Sequence, residues 1–212
     1  MKSGYSTSAS HQSADATPPR RRADAERSIA RILDAAVDAL GEDQEASMAE
    51  IARRAGVVRA TIYVHFPTRE ALVEAVTERA LAEAVAVIKT AEPDRGDPVA
   101  ALTCVVSVTW RTLGRYHALV AINTGTQTPE ELHRRHGSVL GVLLPLIERG
   151  QASGAFRTDV TPEWHLAMLL ALIHAASAER RAGRVPEDHA ETALVATALG
   201  AVTRGAHGSE AA

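Results

Sequence analysis

Apolar residues recur at three- and four-residue spacing through most of the chain, which is the period of an α-helix with one buried face. One such stripe joins Ile29 to Leu40, a second joins Leu72 to Ile88, and similar stripes continue to about residue 205. Alternation typical of strands is short, and its best example, residues 105–108, lies inside a helix-periodic stretch. The pattern therefore predicts an all-α protein with nine or ten helices.

Capping residues and helix breakers divide these stripes into separate helices. The first helix is predicted from about residue 23 to Leu40, and Ser47 with Glu50 forms the capping-box pattern that opens the second. Thr68 is expected to cap a long helix, and Gly114 and Gly183 mark a bend and a helix end. Later helices share a cap residue followed by proline, at 97–98, 128–129 and 161–162.

Residues 47–72 read as two short helices joined by a tight turn, followed by the start of a third helix. Gly56 suits a left-handed turn, while Ala52 lies four residues before it and allows the helices to cross closely. The wedge between them is expected to hold three apolar side chains, those of Ile51, Val57 and Ile62. This spacing predicts a DNA-binding helix-turn-helix, whose second helix fits the major groove.

Composition supports a folded protein that remains in the cytoplasm. The chain has 212 residues, of which 46% are hydrophobic and only 3% aromatic, so Ala, Leu, Val and Ile must form the core. A single cysteine, Cys104, excludes an internal disulfide and is expected to be buried. The longest apolar run, residues 166–173, is far shorter than the ~18 residues of a membrane helix.

The charge of the whole chain and the charge of the helix-turn-helix point in opposite directions. A net charge of −3 argues mildly against binding to phosphates. Residues 51–69, however, contain Arg53, Arg54, Arg59 and Arg69 and no acidic residue. Because salt screens more distant charges, the local excess of arginine favours DNA binding.

The ordered identities I-A-R-R-A-G-V-V-R-A-T-I-Y-V-H-F-P-T-R-E-A-L at 51–72, preceded by R-I-L-D-A-A at 31–36, resemble the TetR family of bacterial transcriptional regulators. A weaker similarity lies at residues 146–159. The resemblance implies a three-helix DNA-binding domain, then a larger helical domain that binds a small ligand and dimerises through its last two helices. Family members usually repress transcription and release DNA when the ligand binds.

This organisation divides the chain into four segments. Residues 1–20 are expected to be a disordered arm, 21–67 the helix-turn-helix domain, 68–205 the ligand-binding and dimerisation domain, and 206–212 a loose tail. Arginines 20–22 are open to two interpretations, a basic arm that contacts DNA or a solvated tail. Apolar faces for dimerisation are offered by Leu166, Leu169, Leu170, Ile173, Leu194, Ala198 and Val202.

The resemblance carries DNA contacts to positions that match the motif. The candidates are Ser47, Arg54, Arg59, Ala60, Thr61, Tyr63, His65, Thr68 and Arg69. The alternative interpretations are a solvated side chain for Arg54, a partly core position for Tyr63 and mere exposure for His65, whereas Phe66 is assigned to the core. Val58 departs from the family, which usually has Ser or Thr there as a helix cap, and Arg69 replaces the usual Lys.

Ligand-binding candidates stand out against an aliphatic background in the second domain. They are Trp110, His117, Met168 and His174, each with core or surface as the alternative interpretation. His133 and His136 have helical spacing for metal ligation but no third ligand, so a surface position is preferred. No catalytic set, metal motif or cofactor motif is recognised.

The sequence therefore predicts a dimeric transcriptional repressor that binds palindromic operator DNA and responds to a small-molecule effector. Two alternatives remain at this point. One is a helical small-molecule-binding protein or enzyme whose helix-turn-helix is merely structural, which the acidic composition would fit. The other is a transcriptional activator, because the sequence does not determine the sign of regulation.

Overall fold

The computed structural model describes residues 19–116, 119, 122 and 128–203. Within these ranges the chain forms nine α-helices: α1 Pro19–Glu42, α2 Met48–Arg54, α3 Arg59–His65, α4 Arg69–Thr90, α5 Pro98–Arg115, α6 Pro129–Arg135, α7 Gly137–Ala152, α8 Pro162–Arg181 and α9 Glu187–Val202. Extended pairing in the described chain is a single antiparallel bridge between Phe156 and Thr203. The all-α prediction is confirmed. Residues 19–20, predicted to belong to the disordered arm, instead begin α1, while residues 1–18 of that arm, His117 and the tail lie outside the described residues.

Most helices begin where the capping residues predict. The hydroxyls of Thr68 and Thr161 accept hydrogen bonds from backbone N–H groups three residues on, and Thr128 forms a complete capping box with Glu131. At α2 the box is only half formed. Ser47 accepts from the Glu50 backbone, but the Glu50 carboxylate accepts from two arginines instead of returning to the cap.

Two predicted helix boundaries were wrong. The first helix begins at Pro19, before the expected residue 23, which suits the preference of proline for the first turn. The fifth helix continues through Gly114 to Arg115, because helical packing on both sides outweighs the weak helix propensity of one glycine.

The first hydrophobic core is enclosed by α1, α2, α3 and the first half of α4. Its fully buried side chains include Ile32, Leu40, Ile51, Ile62 and Leu72. The turn between α2 and α3 has Gly56 at φ +65°, where a side chain would be strained. The predicted wedge is confirmed, since Val57 packs against this core beside Ile51 and Ile62.

The second core joins the last half of α4 to α5, α7, α8 and α9. The chain closes over it where Phe156 is completely buried against Gly150 of α7. A Cβ atom at Gly150 would lie 2.0 Å from the Phe156 ring, so the close approach requires glycine there.

Helix α4 belongs to both cores, which makes it the physical connection between them. Leu72 and Val76 lie in the first core, whereas Ala84 and Ile88 lie in the second. The predicted boundary between residues 67 and 68 therefore falls just before a helix that the two domains share. The division into residues 21–67 and 68–205 stays a prediction.

Ion pairs add a second connection, which joins α1 to α4 and α5. Asp34 of α1 accepts from Arg79 of α4 at 2.6 Å and from Arg115 of α5 at 3.2 Å. The Tyr116 hydroxyl, at the end of α5, donates to Glu83 of α4. These groups hold three helices together at the point where the two cores meet.

Burial corrects two expectations about the second domain. Cys104 is exposed, because it lies on the outer side of α5 while Leu102 and Val105 face the core. Most of the predicted dimerisation face is core within the single chain, as shown for Leu166, Leu169, Leu194, Ala198 and Val202. The apolar stripe of each helix was read correctly, but it packs against the chain's own helices.

Candidate nucleic-acid interface and internal cavity

Helix α3 presents one face to solvent while its other face is anchored in the first core. Ile62 is fully buried and Phe66, just after the helix, is 7% exposed, as the sequence predicted for Phe66. On the opposite side Val58, Tyr63 and Val64 are 70%, 39% and 77% exposed. A short helix fixed from behind by its apolar residues can enter a groove without losing its own packing.

The candidate residues on α3 fall on this outer face or at its margin. The Arg59 guanidinium lies 5.8 Å from the centroid of the Tyr63 ring, close enough for a cation–π contact. Ala60 is exposed, and Thr61 and His65 are half-buried at the edges. The helix therefore combines a cation, a phenol and small side chains on one surface.

Arg53 and Arg54 are paired with acids, which the local charge count did not reveal. Arg54 donates to Glu50 and to Glu42, each at 2.8 Å, and Arg53 also binds Glu50. These hydrogen bonds with Arg53 and Arg54 lower the pKa of Glu50 to about 2. Residues 51–69 contain no acidic residue. Glu50 in the first turn of α2 and Glu42 at the end of α1 nevertheless supply two carboxylates to these arginines. Among ion pairs of the described residues, none involves Arg59.

The start of α4 brings the remaining candidates next to the loop before α2. Thr68 caps α4, and the Arg69 guanidinium donates to the Gln44 carbonyl in that loop. Ser47 caps α2 through its hydroxyl oxygen. Both hydroxyls accept hydrogen bonds in these caps, so each retains its own proton for donation to a further acceptor.

Val58 and Val64 were not among the sequence candidates for DNA contact, although they are the most exposed apolar side chains on α3. The exposure of Val64 could have been predicted from the sequence, because Ile62 was expected to be buried. In a helix anchored at 62, residues 60 and 64 lie two positions away on the opposite side. The exposed face of α3 is therefore partly apolar.

An apolar cavity of about 100 Å³ lies between α4, α5, α7 and α8. Its walls are leucine, valine, isoleucine and alanine from these helices, with five polar residues among them: Thr77, Thr109, Tyr116, His136 and His174. The volume is several times the ~10–15 Å³ that one water molecule requires. The mainly aliphatic lining, with a few polar groups, is the composition typical of a site for an organic ligand.

Two histidine rings that line the cavity, those of His136 and His174, meet edge to face, with centroids 5.3 Å apart and planes at 85°. The His136 Nδ1 atom lies 2.8 Å from the Leu132 carbonyl oxygen, so this nitrogen carries a hydrogen and donates it. Burial lowers the pKa of His174 to about 4 and also lowers the pKa of His136. Both rings are neutral at physiological pH.

The four ligand-binding candidates are not brought together. His174 lines the cavity, whereas Trp110 lies outside its lining beneath the Arg180 guanidinium, 5.5 Å from the ring centroid. Met168 packs against the second core and is also absent from the lining, and His117 lies outside the described residues. The cavity is formed mainly by aliphatic positions that composition could not distinguish from ordinary core.

His136 was expected at the surface and is instead half-buried at this cavity, since α6 ends beneath it and turns its ring inward. His133, one turn earlier, is exposed as predicted. No group of three potential metal ligands occurs among the described residues. Over the same residues, no helix is long and apolar enough to cross a bilayer.

The fold and the exposed α3 define an all-α protein with a helix-turn-helix. A match to the family described as "Bacterial regulatory proteins, tetR family" covers residues 32–76, which include α2, α3 and the turn between them. This segment therefore matches the family that the motif at 51–72 resembles.

Known transcriptional regulators are similar to this chain over different fractions of its length. The HTH-type transcriptional repressor NicS of Pseudomonas putida is 33% identical over 107 residues, which are 47% of this chain and 50% of that protein. The match thus spans half the length of this curated relative. A TetR transcription regulatory protein from Mycobacterium vanbaalenii is 29% identical with a TM-score of 0.56, covering 87% of this chain and 99% of the other.

The fold is also shared with the TetR-like transcriptional regulator LfrR from Mycobacterium smegmatis, whose structure was solved in complex with proflavine. That structure has a TM-score of 0.63 and 24% identity, covering 85% of this chain and 98% of the other. The structural similarity therefore extends over the helices of both hydrophobic cores and is not limited to the helix-turn-helix.

Proposed function

We propose that the protein is a transcriptional repressor that binds palindromic operator DNA as a dimer and releases it when a small-molecule effector occupies the cavity. The observation that carries the proposal is the exposed face of α3, which is anchored by Ile62 and carries Arg59 outward. The match of residues 32–76 to the TetR family and the similarity to the repressor NicS support the same function.

The DNA contacts divide into base contacts from α3 and phosphate contacts around it. Arg59 suits guanine and Tyr63 a base or phosphate, while Ala60 permits close approach of the helix. The hydroxyls of Ser47 and Thr68 are positioned at helix N-termini, where partial positive charge favours phosphate. Thr61, His65, Arg54 and Arg69 lie at the margin and belong to the same proposed surface.

Arg54 can contact phosphate only if its guanidinium gives up a carboxylate with which it now forms an ion pair. Its guanidinium is divided between Glu42 and Glu50, so part of its charge is already neutralised. We therefore propose that Arg59 makes the main base contact and that Arg54 contributes a smaller electrostatic attraction to phosphate. Because exposed ion pairs contribute little stability, exchange of a carboxylate for a phosphate is a small energetic step.

Effector binding is connected to α1 through residues that touch both the cavity and the first core. Tyr116 and Leu119 line the cavity and also pack in the core of the helix-turn-helix domain. The Tyr116 hydroxyl binds Glu83, and the adjacent Arg115 binds Asp34 of α1. A ligand that displaced Tyr116 would therefore act on the position of the DNA-binding domain.

The competing functions have less support. An enzyme with a structural helix-turn-helix would need a catalytic set, and the family and the curated relative are described as transcriptional regulators. An activator would use the same DNA surface. Transcript levels of the neighbouring genes after deletion of this gene distinguish a repressor, which predicts a rise, from an activator, which predicts a fall.

Selection of bound DNA from a random pool, followed by gel-shift titration, tests the proposal. We expect enrichment of a palindrome, and Arg59→Ala should weaken binding about tenfold or more, since one good arginine–guanine pair contributes about 1–3 kcal/mol. Arg95→Ala is the matched control, because Arg95 is an exposed arginine in the α4–α5 loop. Absence of an enriched sequence with folded protein, or equal binding by both variants, would contradict the proposal.

A further inference from the structure

Two residues that line the cavity each carry a buried polar atom whose hydrogen-bonding capacity is unused by the described protein. Thr109 is only 8% exposed, and its hydroxyl oxygen has no partner. The Nδ1 atom of His174 is also buried without a partner. The other polar groups are engaged: Thr77 donates to the Val73 carbonyl and Tyr116 to Glu83. Buried polar atoms in this state are costly unless a ligand or water pairs with them.

Among the described residues, none that lines the cavity carries a fixed charge. These lining residues include no Asp, Glu, Lys or Arg, and the two histidines are neutral at physiological pH because burial lowers the pKa of each. Residues 117–127, whose sequence is HALVAINTGTQ, also contain none of these four residue types. An ionic ligand would lose its hydration here and find no counter-charge, which disfavours its binding.

A ligand group that can both donate and accept a hydrogen bond suits these unpaired atoms whichever tautomer His174 adopts. A neutral imidazole has one N–H and one bare nitrogen, so Nδ1 of His174 is either an unpaired donor or an unpaired acceptor. The Thr109 hydroxyl can act in both ways. A hydroxyl group on the ligand matches either tautomer of His174 and also Thr109, whereas an ether or a hydrocarbon does not.

We propose that the cavity takes an uncharged, mainly aliphatic molecule that carries a hydroxyl group, and that His174 and Thr109 bind this group. The aliphatic part fills the space between leucine and valine side chains of α5, α7 and α8. The role of this molecule as an effector rests on the proposed function, whereas its binding does not.

Isothermal titration calorimetry on the full-length protein at pH 7 tests the charge preference with three probes of equal chain length. These are 1-octanol, octanoate and octylammonium. We expect 1-octanol to bind at least tenfold more tightly than either ion. Equal or tighter binding of an ion would overturn the proposal, as would the absence of 1-octanol binding.

Two variants test the named residues by comparing 1-octanol with 1-chlorooctane, which lacks the hydroxyl. Wild-type protein should prefer 1-octanol several-fold, and Thr109→Val and His174→Phe should each reduce that preference at nearly unchanged binding of 1-chlorooctane. His189→Phe is the control, because His189 is exposed on α9. Thr109→Val has the same shape as threonine and removes an unpaired hydroxyl, so it should fold as well as the wild type.

An unchanged alcohol preference in both folded variants would overturn the assignment. The outcome is separable from that of the repressor proposal. Selection of a palindromic DNA without any binding of 1-octanol would refute the ligand class and leave the repressor function supported. Binding of 1-octanol that depends on Thr109 and His174, without DNA binding, would support the ligand class and contradict the repressor function.

Discussion

At the scale of single side chains, the proposed DNA-binding surface combines positive charge with exposed apolar groups. Arg59 stacks near Tyr63, whereas Arg53 and Arg54 are held by Glu50. The Val64 side chain on the same helix is 77% exposed. Packing within the single chain does not explain an apolar side chain at this position. An exposed valine on a groove-facing helix suits the methyl group of thymine, which projects into the major groove.

Val64→Ala should weaken binding to the selected operator about fourfold, because loss of apolar contact equivalent to one CH₂ group costs about 0.8 kcal/mol. Replacement of the contacted thymine by uracil removes the partner methyl group and should weaken wild-type binding by a similar factor. The variant should then be insensitive to the same replacement. Gel-shift titrations of both proteins on both DNAs form the test, and additive losses would argue against a Val64–methyl contact.

At the scale of elements, helix α3 begins without a side-chain cap, unlike α2 and α4 on either side of it. Its N-cap residue, Val58, has the extended backbone of a capping position but makes no side-chain hydrogen bond. The caps of α2 and α4 come from Ser47 and Thr68. The loss that the sequence predicted for Val58 is confirmed, and α3 depends on packing by Ile62 for its stability.

Val58→Ser should stabilise the folded protein by about 1 kcal/mol, because its hydroxyl can accept from the first free N–H groups of α3. Removal of the valine costs little, since the side chain is 70% exposed. Urea unfolding of the purified protein measures the effect. Val58→Ala is the reference, since it shortens the side chain without supplying an acceptor, and equal stability of the two variants would refute the capping argument.

At the scale of the whole molecule, the outer surface of α8 and α9 differs from the face predicted for dimerisation. On α8 the outward positions are Trp164, which is 62% exposed, and the exposed residues Ala167, Ala171 and Ala175. On α9 they are Thr192, Ala193, Ala196, Thr197 and Gly200. Small side chains allow two helix pairs to approach closely, so we expect the proposed dimer to form through this surface.

Ala171→Arg should shift the protein from dimer to monomer at micromolar concentration, because a long charged side chain would occupy the centre of that surface. Sedimentation velocity measures the change. Ala86→Arg, at an exposed alanine of α4, is the matched control and should leave the mass unchanged. An Ala171→Arg protein that sediments as the wild type does would exclude this surface, and a monomeric wild type would contradict dimerisation itself.

The sequence by itself determined the helices, most of their caps and the helix-turn-helix, because these depend on short-range spacing. Gly56 at the turn, Thr68 and Thr161 at helix starts, and Ile62 in the wedge were all readable from residues within a few positions. The order of identities in residues 51–72 likewise predicted the TetR match that residues 32–76 show.

Tertiary structure decided what each apolar or charged face contacts, because that depends on residues far apart in the chain. Only packing could show that Leu194 and Val202 are core within the chain, and that Glu42 reaches Arg54 from α1. It also placed His136 against His174, although these residues are far apart in the sequence, and left the Thr109 hydroxyl of the same cavity lining without a partner. Periodicity identifies a buried face, but only the assembled helices determine whether that face encloses core or a cavity.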